Sequence, residues 1–110
     1  MDMVTAPERG AVYLVALDPT KGAEMAKTRP CAVVSPDELN RHLATVTVVP
    51  MTSAARRYRF RVATRFENTE GALALDQIRT VDKLRLVKRL GALDADTQRR
   101  LRIGLQEMFA

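Results

Sequence analysis

The chain has 110 residues, 46% apolar and 28% charged, a size and balance that fit one globular domain over 1–110 and argue against a disordered chain, a collagen-like repeat or a coiled coil. Its apolar runs fall far short of the ~20 residues a bilayer span needs, and Met1-Asp2-Met3-Val4-Thr5 lacks the order of an export signal, so no membrane is expected and the cytoplasm is. Eighteen Lys+Arg against 13 Asp+Glu give +5, and Arg56, Arg57, Arg59, Arg61 and Arg65 account for all of it, in a stretch without an acid. Charge concentrated in this way points to a local polyanion site rather than a generally sticky surface. The single cysteine, Cys31, forms no internal disulfide, in keeping with a reducing compartment. A core this small favours oligomerisation or a closed sheet that protects its strand edges.

Residues 1–8 are expected to be a flexible N-terminus. Gly10 to Leu17 is apolar throughout and predicts a buried strand that ends at the turn signal Asp18-Pro19. Residues 18–29, with few large apolar groups, predict a loop of a length usually tied to function. Cys31 to Ser35 predicts a second strand, and Ser35-Pro36-Asp37-Glu38 the start of a short helix, with serine as cap and proline first. Ala44 to Val49, ended by Pro50, predicts a third strand. Tyr58 to Val62 alternates with period two, the pattern of a half-buried strand. Gly71 to Leu75, Gln77 to Val81 and Leu86 to Leu90 predict three more. Asp94 to Phe109 has helical spacing, with Leu101, Leu105 and Met108 on one face and Asp94 and Asp96 at the positive end of the dipole. Gly104 costs that helix about 1 kcal/mol, so it is expected to form by packing on a sheet. The sum is a mainly β fold, a small bent antiparallel sheet or partly open barrel with a short helix and a C-terminal helix.

If Tyr58, Phe60 and Val62 face one way, Arg57, Arg59 and Arg61 face the other, about 6.6 Å apart, as a ladder of guanidinium groups suited to phosphate. The plainer alternative is a solvated strand face that discourages edge pairing. No Walker loop, Gly-rich dinucleotide turn or Cys/His zinc pattern occurs, so no metal or cofactor is expected. The lone His42 reads as surface, Cys31 as a small buried hydrophobe, and Asp94-x-Asp96 as helix capping rather than a metal site.

Four blocks in order resemble the MazF/PemK-type toxins of bacterial toxin–antitoxin systems: Arg9-Gly10-Ala11-Val12-Tyr13-Leu14-Val15-Ala16-Leu17-Asp18-Pro19-Thr20-Lys21-Gly22-Ala23-Glu24, then Lys27-Thr28-Arg29-Pro30, Val49-Pro50-Met51-Thr52-Ser53, and Ala74-Leu75-Asp76-Gln77-Ile78-Arg79-Thr80. The resemblance spans about residues 9–109. It implies an SH3-like barrel, a homodimer, and a metal-independent, sequence-preferring endoribonuclease. Such an enzyme cleaves single-stranded RNA to 2′,3′-cyclic phosphate and 5′-hydroxyl ends and is neutralised by a cognate acidic, MazE-like antitoxin.

By the same resemblance Arg29 and Thr52 match the family's catalytic pair, Glu24 a loop acid implicated in activity, and Asp76 and Gln77 residues that contact RNA bases. Lys27, Thr28, Ser53 and Arg79 join the expected RNA surface, with Arg57, Arg59 and Arg61 from the charge cluster. Guanidinium stays protonated, which suits Arg29 to stabilising a phosphorane rather than to base catalysis. Family members commonly carry Ser or His before the Glu24 position and Gln after it; here these are Ala23 and Met25. The alternative is a CcdB-like, non-enzymatic toxin of the same fold that poisons DNA gyrase, although the helix here ends Gln106-Glu107-Met108-Phe109-Ala110 without that family's Trp-Gly-Ile.

Overall fold

The computed structural model describes residues 6–18, 21–53 and 58–110. Seven strands form one bent antiparallel sheet: β1 (Ala11–Ala16), β2 (Thr28–Val33), β3 (Thr45–Thr52), β4 (Arg61–Phe66), β5 (Thr69–Ala74), β6 (Arg79–Asp82) and β7 (Leu86–Ala92). A short helix α1 (Asp37–His42) and a C-terminal helix α2 (Ala95–Met108) complete it. The spatial order is β4-β5-β3-β2-β1-β7, with β6 also paired to β3, so the sheet curls without closing.

β3 is the hub. One edge pairs with β2; the other pairs with β6 along Thr45–Val48 and with β5 along Met51–Thr52. Pro50, the expected end of this strand, lies inside it, at the change of partner between β6 and β5. A residue without an N–H forfeits no ladder bond there. Pro30 is likewise inside β2, which starts at Thr28 rather than Cys31: the ladder to β3 begins at Cys31, while Thr28 and Arg29 pair with Ala16 and Val15 of β1. Arg29 is therefore held in a strand, not in the loop predicted for it.

Both faces of the curled sheet carry a buried cluster, which is why β1 reads as an unbroken apolar run. Val12, Ala32, Val49, Leu73 and Leu75 pack under α2 with Leu93 and Leu101, while Val15, Leu17, Cys31, Val33, Val46, Val48 and Val81 fill the other side. Asp94 caps α2 by accepting the Thr97 N–H at 2.7 Å. Gly104 lets the helix sit close: a Cβ there would meet Leu75 Cδ2 at 2.7 Å.

Ser35 is not the cap of α1, whose N-cap is Pro36, with no side-chain bond. Its hydroxyl instead donates to Asn40 Oδ1 at 2.6 Å and accepts the Thr47 N–H at 3.0 Å, tying β2, α1 and β3 together in the interior. The alternation over Tyr58–Val62 is a strand only from Arg61 onward, where β4 begins. Residues 59 and 60 form a turn, Phe60 has φ +67°, and its ring packs on the core beneath α2. Left-handed backbone at a bulky residue is uncommon, and this one interrupts the extended chain just before β4 while Phe60 and Val62 still pack on the same core cluster. β4 then runs to Phe66 and returns as β5 through a two-residue turn, Glu67-Asn68, with φ +50° and +63°. Two positive φ values match the primed turn whose twist suits a tight hairpin, and asparagine tolerates that region.

Candidate active site

Arg29 and Thr52 come together because two ladders place them. Cys31 is opposite Pro50 across β2 and β3, and continuing that register two residues outward sets Arg29 across from Thr52. Both line a groove of about 390 Å³ with Lys27, Thr28, Met51 and Ser53 on one side and Thr64, Phe66, Glu70 and Gly71 of the β4–β5 hairpin on the other. The Arg29 Nε–H donates to Ala26 O at 3.1 Å, which fixes the guanidinium plane at a half-buried position. Thr52 is 8% exposed. Gly71 is required beside it, since a Cβ there would lie 2.5 Å from Thr52 O.

Sequence reasoning misses the hairpin side of the groove, because residues 63–70 carry no strong period. The available signal is Asn68, placed just before a β-compatible run. Thr64 Oγ1 is the one buried side-chain nitrogen or oxygen among the described residues without a hydrogen-bond partner.

Glu24, Asp76, Gln77 and Arg79 line a second, adjoining hollow of about 200 Å³ with Met25, Pro50 and Ile78. Pro50 lines this one and its neighbours Met51 and Thr52 the other, so the two hollows meet along β3. Glu24 thus stands apart from the Arg29–Thr52 groove, and its carboxylate accepts the Lys21 N–H at 2.9 Å within a local turn. The predicted loop is pinned at its base: Leu17 N–H donates to Lys27 O at 2.8 Å, Lys27 N–H to Asp18 Oδ1 at 2.9 Å, and Arg85 to Ala16 O at 3.0 Å and to Asp18 O. Asp76 and Gln77 lie in a single 3-10 turn, Leu75–Gln77, so the strand expected from Gln77 begins only at Arg79. Arg79 follows at the start of β6 and donates to Leu17 O at 3.4 Å.

Beneath the site, burial pushes the Cys31 thiol up to about 12, and the Arg79 and Arg29 cations only partly oppose it. The thiol is therefore protonated at neutral pH, as a small core residue. Among the described residues no three His, Cys, Asp or Glu side chains converge as a metal site, and no helix is long and apolar enough to cross a membrane.

Among the described residues, Arg59 and Arg61 have different surroundings rather than forming a ladder. Arg56 and Arg57 lie outside the described residues. Arg59 is exposed with its guanidinium 4.7 Å over the Phe60 ring, and Arg65 pairs with Glu70 at 3.6 Å in solvent. Arg61, only 14% exposed, is engaged in both directions by Asp76, with Nε to Oδ1 at 2.6 Å and Nη2 to Oδ2 at 2.9 Å. The chain turns at residues 59 and 60, with Phe60 at φ +67°, so Arg59 and Arg61 are not successive same-face positions of one extended strand.

A bent antiparallel sheet of short strands, backed by a C-terminal helix and carrying a groove between β2–β3 and the β4–β5 hairpin, defines a class of small β proteins. Residues 8–109 match the family described as PemK-like, MazF-like toxin of type II toxin–antitoxin system. Endoribonuclease PemK of Escherichia coli is 44% identical over 89 residues, 76% of this chain and 67% of that protein. MazF from Deinococcus radiodurans superposes with a TM-score of 0.85 at 26% identity, over 94% of this chain and 96% of that one. An endoribonuclease from a mycobacterial species, in complex with its cognate antitoxin, gives 0.80 at 28% identity over 94% and 95%. The chain belongs to the PemK-like, MazF-like toxin family.

Proposed function

We propose that the chain is a single-domain endoribonuclease toxin that cleaves single-stranded RNA without a metal ion. The observation that carries this reading is the groove shared by Arg29 and Thr52 on paired strands, in a toxin family with a curated relative named as an endoribonuclease. The nucleophile is the substrate's own 2′-hydroxyl. Its oxygen bonds to the adjacent phosphorus as the bond to the 5′-oxygen breaks, leaving a 2′,3′-cyclic phosphate and, once that oxygen takes a proton, a 5′-hydroxyl.

The protein's share is then positioning and charge stabilisation. Arg29, with its plane fixed by Ala26 O, stabilises the phosphorane and protonates the leaving oxygen; the Thr52 hydroxyl donates to a non-bridging oxygen. Glu24 is the candidate for the 2′-proton, a role that requires the 18–27 loop to carry it from its own hollow to the groove. Lys27, Thr28 and Ser53 hold the strand at the groove, Asp76, Gln77 and Arg79 contact bases in the hollow, and Arg57 and Arg59 dock flanking phosphates. The active unit is a homodimer in the cytoplasm, restrained by an acidic antitoxin lying over the same basic surface; the mycobacterial toxin–antitoxin complex among the structural neighbours supports such a partner.

Incubation of the purified protein with a long unstructured RNA in EDTA tests this. Cuts at a preferred sequence with cyclic-phosphate ends are expected. Intact RNA together with stabilised gyrase–DNA breaks is the result that would instead support the gyrase-poison alternative, which the family match does not favour.

A further inference from the structure

Net charge alone makes Arg61 a phosphate contact, but its surroundings give it other work. Both ends of its guanidinium fork are taken by the Asp76 carboxylate, and the Tyr58 ring lies 5.3 Å from its centre. A bidentate pair of this kind fixes the carboxylate in direction as well as in place. Asp76 Oδ2 also accepts from Gln77 Nε2, at 3.5 Å, and Gln77 Oε1 accepts the Met25 N–H at 3.2 Å. The two neighbours of the Gln77 amide demand the same orientation, because a carboxylate only accepts and a backbone N–H only donates. Met25, 52 residues away in sequence, in turn packs its side chain against the core around Cys31 and Val48. Four residues from three segments are thus joined in one line across the hollow that Glu24 lines.

We propose that Arg61 is a positioning residue: through Asp76 it orients the Gln77 amide that latches the 18–27 loop at Met25, and so sets the shape of the hollow that reads RNA bases. The inference rests on the nuclease reading for its purpose, but the latch is a property of the protein without RNA. Truncating Arg61 frees Asp76 to rotate, removes the constraint on Gln77 and releases Met25, while every cation that binds phosphate stays in place.

Two measurements test it. In the RNA-free protein, amide hydrogen exchange at Met25 reports the latch directly. The Met25 amide is expected to exchange at least tenfold faster in Arg61→Ala and in Gln77→Ala, no faster in the double variant than in either single one, and at an intermediate rate in Arg61→Lys, which keeps the charge but not the fork. The Ala32 and Val49 amides serve as the control for an intact core. If Arg61→Ala loses that protection as well, Gln77→Ala and Arg61→Lys carry the test. Unchanged exchange at Met25 with the core intact overturns the proposal.

The second measurement is the salt dependence of binding to an uncleavable 2′-O-methyl RNA oligonucleotide. Removing a cation that binds phosphate lowers the log–log slope by about 0.7, whereas removing a positioning residue leaves it unchanged. A slope reduced by that amount in Arg61→Ala returns the residue to the phosphate surface. Absence of RNA cleavage by the wild-type protein overturns the nuclease reading and leaves the exchange result standing.

Discussion

The groove of Arg29 and Thr52 and the hollow of Glu24, Asp76 and Gln77 both draw on β3 but are held by different forces. The groove is built on main-chain ladders: β1 holds Arg29 opposite Val15, β5 holds Thr52 opposite Ala72, and β2 and β3 pair between them. The hollow is built on a loop and a 3-10 turn joined by side-chain bonds from Arg61, Asp76 and Gln77. Ladders tolerate little displacement, and that suits phosphoryl chemistry, where an error of an ångström is costly. Tied loops are adjustable, and that suits discrimination among bases. On the proposed reading Glu24 belongs to the loop side, and its part in the reaction requires the loop to bring it to the groove.

Substitutions on the two sides should therefore have separable effects. Arg29→Ala and Thr52→Ala act on the rigid side and are each expected to lower the single-turnover cleavage rate by about 10²–10³-fold, the usual cost of removing one charge-stabilising donor, with circular dichroism unchanged. Wild-type rates in either variant would remove the groove from the chemistry. Gly71→Ala pushes a methyl group against Thr52 O; it is expected to cost about 1–3 kcal/mol of stability by overpacking and to slow cleavage as well. Chemical denaturation beside the rate assay checks both parts, and a neutral outcome would show that β5 and β3 are less tightly joined than described.

Acid separates the two regions next. The Arg61 guanidinium, as hydrogen-bond donor and then as charge, holds Asp76 below the usual carboxylate range, and a depressed folded value means that this contribution is complete above the unfolded pKa and is lost as pH falls through the folded one. Met25 amide protection, corrected for intrinsic exchange, is therefore expected to be flat from pH 8 to about 5 and to fall only below about 4. Loss of protection near pH 6 would mean that some other group controls the latch. The smallest effect belongs to Arg59→Ala, which should flatten the salt dependence of RNA binding by about 0.7 in slope and leave Met25 exchange unchanged.

Much of the framework is legible in the sequence because it rests on local rules. The apolar run of β1, the β-branched start of β3, the Asp94 cap and the 101/105/108 stripe of α2 appear in the structure where composition, periodicity and capping chemistry put them. The departures gather where tertiary context overrides a local pattern. Pro30 and Pro50 look like breaks, yet each sits where a strand changes or lacks a neighbour and no donor is missed. Tyr58 to Val62 looks like one strand, yet the chain turns at Phe60 and β4 starts at Arg61, with Arg59 in solvent and Arg61 paired to Asp76. Alternation carries no information about a reversal of φ, and net charge none about pairing. The excess of arginine is therefore a poor guide to which arginine meets a phosphate, and of the described members Arg59 is the one with neither an acid partner nor a buried position.

If the rigid groove cleaves RNA with the substrate's own hydroxyl, removing that hydroxyl at one position must stop the reaction there and nowhere else. The decisive substrate is an oligonucleotide with one 2′-deoxy nucleotide placed immediately 5′ of a mapped cleavage position, incubated with the wild-type protein. This position is expected to survive intact while an all-ribose control is cut there and carries a cyclic phosphate; cleavage at the deoxy position at the control rate would contradict the proposed chemistry.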